Sequence, residues 1–223
     1  DGLRFGHDPR EGFFEGSTFY HPGLAVQVTF PDGWRALNEK SRVVGMHPER
    51  VAQVQMTLAE QASAKEASDA FLAQDNVSRI SSRNTRLNGL RAVRTDFSVA
   101  TSRAISGRAA FVEKDGRVYQ LLALVYADRA VAAGSAFDQF LGSFKTLKDH
   151  ARLAAEPQTI ALVELPEPMS FEQFRSRWPS DVDAEVLDLI NRVDDPSRVL
   201  PAGTLLKRIE GKRAGAQTAG PPQ

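Results

Sequence analysis

Four histidines, His7, His21, His47 and His150, are the first residues to test for chemistry. None lies four residues from another, so the HExxH pattern that places two zinc ligands on one helical face is missing. His7 and Asp8 with His21 are a set that folding could bring to a metal. Scattered ligands of this kind are usually coincidence, and no metal site is expected. No GxSxG surrounds a serine, which removes the strand-to-helix elbow of a serine hydrolase. Gly2, Gly6, Gly12 and Gly16 lack the spacing and context of a phosphate-binding loop. Asp194-Asp195 precedes Pro196 and reads as a turn former rather than a catalytic pair. With no cysteine there is neither a thiolate nucleophile nor a disulfide framework. The chain is therefore not expected to be an enzyme by itself, and no catalytic residue, metal ligand or cofactor is assigned to it.

Charge offers one asymmetry. The 223 residues carry 28 lysines and arginines against 28 acids, so no global field directs the chain to nucleic acid or to an anionic membrane. Between Arg79 and Arg108, however, seven arginines (Arg79, Arg83, Arg86, Arg91, Arg94, Arg103, Arg108) meet one acid, Asp96. A partly basic sheet face of that kind could steer an anionic polymer, a headgroup or an acidic protein segment. The plainer alternative is the solvated face of alternating strands, where arginine also blunts sheet edges. Phe97 alone offers a ring for base stacking, so nucleic acid is not expected. No run approaches the ~20 apolar residues that a membrane span needs.

The elements that must position these residues follow from periodicity. Residues 1–22, with glycines spaced among aromatics, read as an extended, irregular strap. Leu24, Val26, Val28 and Phe30 alternate with polar or small residues as a strand that Pro31-Asp32-Gly33 stops; Val54, Met56 and Leu58 repeat the grammar. Ser63-Ala64-Lys65-Glu66 has the form of a capping box, predicting a helix over about 64–74. Asn88-Gly89 and Asp115-Gly116 each sit between alternating runs as two-residue hairpin turns. The strand from Arg117 to Tyr126 is apolar on nearly both faces and belongs near the centre of a covered sheet. Phe137, Phe140, Leu141 and Phe144 give the core stripe of a closing helix near 135–146.

These elements predict an α+β domain over 23–147, one antiparallel sheet flanked by helices. A polar linker at 148–158 follows, then a small β-α-α-β domain at 159–210 and a disordered tail at 211–223.

Three resemblances add to this. The run DGLRFGHDPREGFFEGSTFYHPGLAVQVTFPDGW resembles the segment that follows the catalytic domain in bacterial envelope zinc metallopeptidases related to CaaX-prenyl endopeptidases. Phe19, His21, Pro22, Leu24, Pro31, Gly33 and Trp34 match that family's "FxHPxLxxxxxxPxGW" strand entry. The unit from about Leu24 to Leu147 resembles the PsbP-like α/β/α sandwich in its order of elements, with "FLGSFKTL" similar to that fold's last helix. Residues 159–209 look like a degenerate LysM module. Asn191 stands where that family keeps an asparagine, and "LPAGTLLKRI" is similar to its closing strand. The "GDTL" opening is replaced by Glu167-Pro168-Met169-Ser170.

The resemblance implies a non-catalytic accessory region of a zinc metallopeptidase, with the strap leading from a missing upstream domain that would hold the zinc. Its role would be to position substrate or tether the enzyme in the periplasm or envelope. Its partners would be the upstream protease domain in cis and a protein substrate or peptidoglycan. The alternative is a stand-alone binding module for a small apolar ligand or lipid within the sandwich.

If LysM function survived, a groove would run between Met169 and Ser170 on one wall and Asp195, Pro196 and Ser197 on the other. Between Thr159 and Glu210 ten acids oppose six bases, however. That excess would repel anionic stem peptides in a salt-dependent way. A protein-facing or structural role is the expectation for this unit.

Overall fold

The computed structural model describes residues 2–211; the expected disordered tail, apart from Gly211, lies outside them. The chain opens with β1 (Leu3–Phe5), β2 (Phe13–Glu15), β3 (Thr18–His21), β4 (Val26–Thr29), β5 (Arg35–Asn38), β6 (Arg42–Met46) and β7 (Ala52–Ala59). Helix α1 (Ala64–Leu72) precedes β8 (Val77–Leu87), β9 (Leu90–Val99), β10 (Ile105–Lys114) and β11 (Arg117–Tyr126). Then come α2 (Ala130–Ser143), β12 (Lys145–Thr146) and α3 (His150–Leu153). The chain continues through β13 (Gln158–Glu164), β14 (Met169–Ser170), α4 (Phe171–Arg177), α5 (Ala184–Asn191), β15 (Val199–Leu200) and β16 (Leu205–Glu210).

Two compact units result. Residues 14–20 and 24–148 form one; 2–13, 21–23 and 149–211 form the other.

In the first unit, seven antiparallel strands pair in the order β5-β6-β7-β11-β10-β9-β8. β11 is central, as its two apolar faces require. Val118 and Leu122 join Ala64, Ala67, Phe71 and Phe111 under α1, while Tyr119, Leu121, Ala123 and Val125 pack on the α2 side with Phe137, Phe140 and Leu141. Helices on both faces make an α/β/α sandwich.

Both hairpin turns form as the sequence predicts. Asn88 and Gly89 have φ of 48° and 87°, and Asp115 and Gly116 have 48° and 72°. Positive φ at both central residues matches the right-handed twist of the flanking strands.

Three local expectations change. The predicted single sheet is two, because β4 leaves the main sheet for a second one ordered β12-β4-β3-β2. The alternation of β4 still buries Val26 and Val28, and Phe30 meets Phe140 at 5.2 Å between ring centroids. The capping box at α1 is only half made: the Ser63 hydroxyl accepts from the Glu66 amide at 3.2 Å. It is the Glu113 carboxylate on β10 that takes the Ala64 amide, at 2.9 Å. The closing helix runs over Ala130–Ser143 rather than near 135–146. Phe144 turns extended with ψ of 125°, which lets Lys145 and Thr146 pair with β4.

Over residues 158–210 the second unit runs β13-β14-α4-α5-β15-β16, two strands more than a plain β-α-α-β order. Its three-stranded sheet runs β1-β13-β16, so Leu3, Arg4 and Phe5 pair with Ile160, Thr159 and Gln158. Residues 2–22, read as an extended strap, thus hold three short strands and a 3-10 turn at Pro9–Glu11. Within 148–158, read as a linker, Asp149 caps the single turn α3 by accepting from the Arg152 amide at 3.0 Å.

Candidate functional site

The seven arginines do not share one surface. Strand alternation sends residues to opposite sides of the sheet, and the register fixes which. Ser81 pairs with Asp96 and Arg83 with Arg94. Asp96 and Arg94 in turn pair with Arg108 and Ala110. Arg83, Arg94 and Arg108 therefore stand on the α2 side. Arg79 faces Phe97, and Arg86 faces Arg91, on the α1 side. Arg103 lies in neither group; it bonds Asp128 at 3.0 Å and covers the Tyr126 ring at 3.8 Å.

On the α2 side the three brought together line a groove of about 460 Å³ that also includes Asp96, Phe137 and Asp138. Asp138 projects from α2 and receives two arginines, Arg94 at 3.0 Å and Arg108 at 2.8 Å. Arg108 also donates to the Gly134 carbonyl at 3.2 Å and lies 3.8 Å from Asp96. Asp96 in turn accepts from Ser81 at 2.7 Å. Arg94 and Arg108 thus fasten α2 to the sheet. Arg83 is exposed and has no ion pair among the described residues. The groove can take up an anionic group only with Arg83 leading, because its other two cations already hold carboxylates.

On the opposite, α1 side of the same strands lies a close approach that sequence reasoning passed over. Gly107 on β10 faces Phe97, and a Cβ there would fall 2.2 Å from the Phe97 ring. The bare backbone leaves room for the far end of that ring, which meets Phe71 of α1 edge-on, 4.7 Å between centroids. A glycine inside a strand is the available signal for such an approach.

The walls expected for a glycan groove are already joined. Met169 and Ser170 pair with Leu200 and Val199, and the Glu172 amide donates to the Pro196 carbonyl at 3.1 Å. Met169 is 5% exposed and packs on Phe171, Phe174 and Leu187. Ser170 forms a full capping box with Gln173, at 3.3 Å and 2.8 Å. Asp195 accepts from the Ser197 amide and hydroxyl at 3.0 and 2.6 Å, which holds its carboxyl below the usual range. Each of these five residues has a fold-building task.

The set His7, Asp8 and His21 does not fit a metal. The Asp8 carboxylate is saturated by Arg4 at 2.8 Å and by Arg10 at 2.6 to 3.1 Å, and the Arg10 guanidinium holds it far below the ordinary carboxyl range. Burial pushes the His21 imidazole down. Among the described residues no three histidines or acids converge as metal ligands do.

No family model matches the chain, and no curated protein matches it. Among solved structures, the chain is similar to cyanobacterial PsbP (CyanoP) from Synechocystis sp. PCC 6803. Identity is 15% over 58% of this chain and 91% of that one, with a TM-score of 0.45. It is also similar to the Ran-binding protein Mog1p of Saccharomyces cerevisiae. There identity is 10% over 61% of this chain and 97% of that one, with a TM-score of 0.43. A third similarity is to LpqN of Mycobacterium tuberculosis, described as involved in cell envelope biogenesis. It has 14% identity over 54% of this chain and 82% of that one, with a TM-score of 0.36. Likenesses this distant assign no function.

Proposed function

We propose that this chain is a non-catalytic accessory module that engages protein on behalf of a zinc metallopeptidase domain in the bacterial envelope. The tie to that enzyme class comes from the Phe19–Trp34 spacing that resembles the exit from such domains. The observation that carries a protein-binding role is the asymmetry of the seven-stranded sheet. One edge, β5, is four residues long, and the other, β8, is eleven. Ser78 through Asn84 are exposed along β8, beside the arginine-lined groove. A long, open edge next to a charged groove suits a polypeptide partner. The LysM-like reading of 159–210 is kept as a structural resemblance, since its expected sugar-contacting walls serve packing and capping.

An apolar ligand within the sandwich is disfavoured by what fills that space. Phe30, Phe140, Phe144 and Tyr119 are each at most 1% exposed and pack ring against ring.

Calorimetric titration of the chain with zinc tests the non-catalytic part. No tight one-to-one isotherm is expected, and finding one would overturn it. The reading frame upstream of Asp1 tests the rest. An in-frame HExxH domain is expected there; its absence would remove the metallopeptidase and leave a binding module.

A further inference from the structure

We infer that the outer edge of β8 is a strand-accepting site for an extended, acidic polypeptide segment. This rests on the protein-binding role proposed above and gives it a place and a chemistry. The Asn88-Gly89 turn makes Leu87 and Leu90 a hydrogen-bonded pair, as two-residue hairpins do. Hydrogen-bonded and non-hydrogen-bonded pairs alternate along an antiparallel ladder. Arg86, Asn84 and Ser82, opposite Arg91, Val93 and Thr95, therefore turn their amide and carbonyl groups away from β9. β8 ends the sheet order, so no strand of that sheet meets them. The register shift between Arg79 and Ser81 closes this stretch at one end and the hairpin closes it at the other. Between them Ser81 to Leu87 is a regular ladder.

Charge selects the occupant. β8 holds Arg79, Arg83 and Arg86 and no acid, lysine or proline. None of the three arginines forms an ion pair among the described residues; Arg86 donates to the Gly89 carbonyl of its own hairpin at 3.0 Å. Arg83 projects on the α2 side and Arg79 and Arg86 on the α1 side, so alternate side chains of an added strand would meet a cation on either face. Glutamate or aspartate there would gain charge-assisted hydrogen bonds while the backbone supplied the ladder. A second copy of this chain is the poorer occupant, because edge-to-edge pairing would bring the arginines of both copies onto one ribbon.

The probe is a short fluorescent peptide alternating glutamate and valine, with a lysine–valine version and a version N-methylated at every second amide. Anisotropy should show saturable binding of the acidic peptide alone, weakened about tenfold or more by N-methylation, the loss of roughly one or two hydrogen bonds. Hydrogen exchange at the Ser82, Asn84 and Arg86 amides should slow when it binds. Asn84→Pro removes an outward amide without touching the β8–β9 ladder and should abolish that protection while the unfolding midpoint holds. Arg83→Glu, which needs no backbone change, should weaken the acidic peptide and leave the lysine peptide no worse. Failure of the wild-type chain to bind the acidic peptide would overturn the site. So would equal binding of the N-methylated peptide, which would reduce the effect to unstructured charge attraction, or concentration-dependent dimerisation that Asn84→Pro abolishes. None of these outcomes bears on the zinc titration or the upstream reading frame, so the two proposals fail separately.

Discussion

The side-chain amide of Asn191, at the end of α5, brackets the backbone of Lys207 on β16. Its Oδ1 accepts from the Lys207 amide at 2.7 Å, and its Nδ2 donates to the Lys207 carbonyl at 2.9 Å and to Leu187 at 3.0 Å. The residue that most suggested a glycan module thus works as a clamp between helix and strand. Asn191→Ala leaves those backbone groups without their partner and should cost about 2–3 kcal/mol. Denaturant unfolding of the chain, followed at Trp178, checks this. Asn191→Asp keeps the acceptor only and should fall between. A change in peptidoglycan retention with unaltered stability would instead point to a ligand-contacting asparagine.

Gly107 and Phe97 should be energetically coupled. Gly107→Ala forces a methyl into the Phe97 ring and is expected to destabilise by about 1–3 kcal/mol, the usual range for overpacking. In a Phe97→Leu background the same change should cost markedly less. The four proteins form a double-mutant cycle, and additivity within about 0.5 kcal/mol would refute the contact.

Asp8 predicts an acid dependence. Its folded carboxyl titrates below its unfolded value, so the stabilisation is complete above the unfolded pKa, near 3.8, and is lost as pH falls below it. Asp149 and Asp195, also held low, push in the same direction. The unfolding midpoint should therefore decline from about pH 4 downward. Asp8→Asn should be less stable at neutral pH and show a shallower decline. Parallel curves for the two proteins would remove Asp8 as a source.

Asp138→Ala should release Arg94 and Arg108 and loosen the α2 latch. The carboxylate is 58% exposed, so the expected cost is small, about 0.5–1 kcal/mol, and should shrink in high salt. Thermal unfolding at low and high ionic strength measures both.

Hairpins, helix-forming runs and the central position of β11 were all legible because each is written in neighbouring residues. Positive φ at Asn-Gly and Asp-Gly, and a strand apolar on both faces, are local facts with one structural solution. The destinations of the same residues were not legible. Asn88 makes its turn and also sends Nδ2 to the Gly142 and Phe144 carbonyls, at 2.9 and 2.7 Å, capping the far end of α2. Glu113 takes the Ala64 amide in the first turn of α1, a partner set by how β10 lies beneath the helix.

The arginine run was visible as a run, but its meaning lay in the register. A period of two divides it between faces, and only the pairing of β8 with β9 and β10 decides that Arg83, Arg94 and Arg108 share one. Likewise β1 could be read as extended chain, yet nothing within Leu3–Phe5 specifies a partner more than 150 residues away at Gln158–Ile160. Local propensity selects the element, whereas long-range burial and backbone hydrogen bonding select its neighbour. The sequence by itself determined the long alternating strands, both hairpin turns and the helix-forming runs, and that no familiar catalytic motif is present. The tertiary structure alone decided which strand ends the sheet, and with it which backbone is left open to a partner.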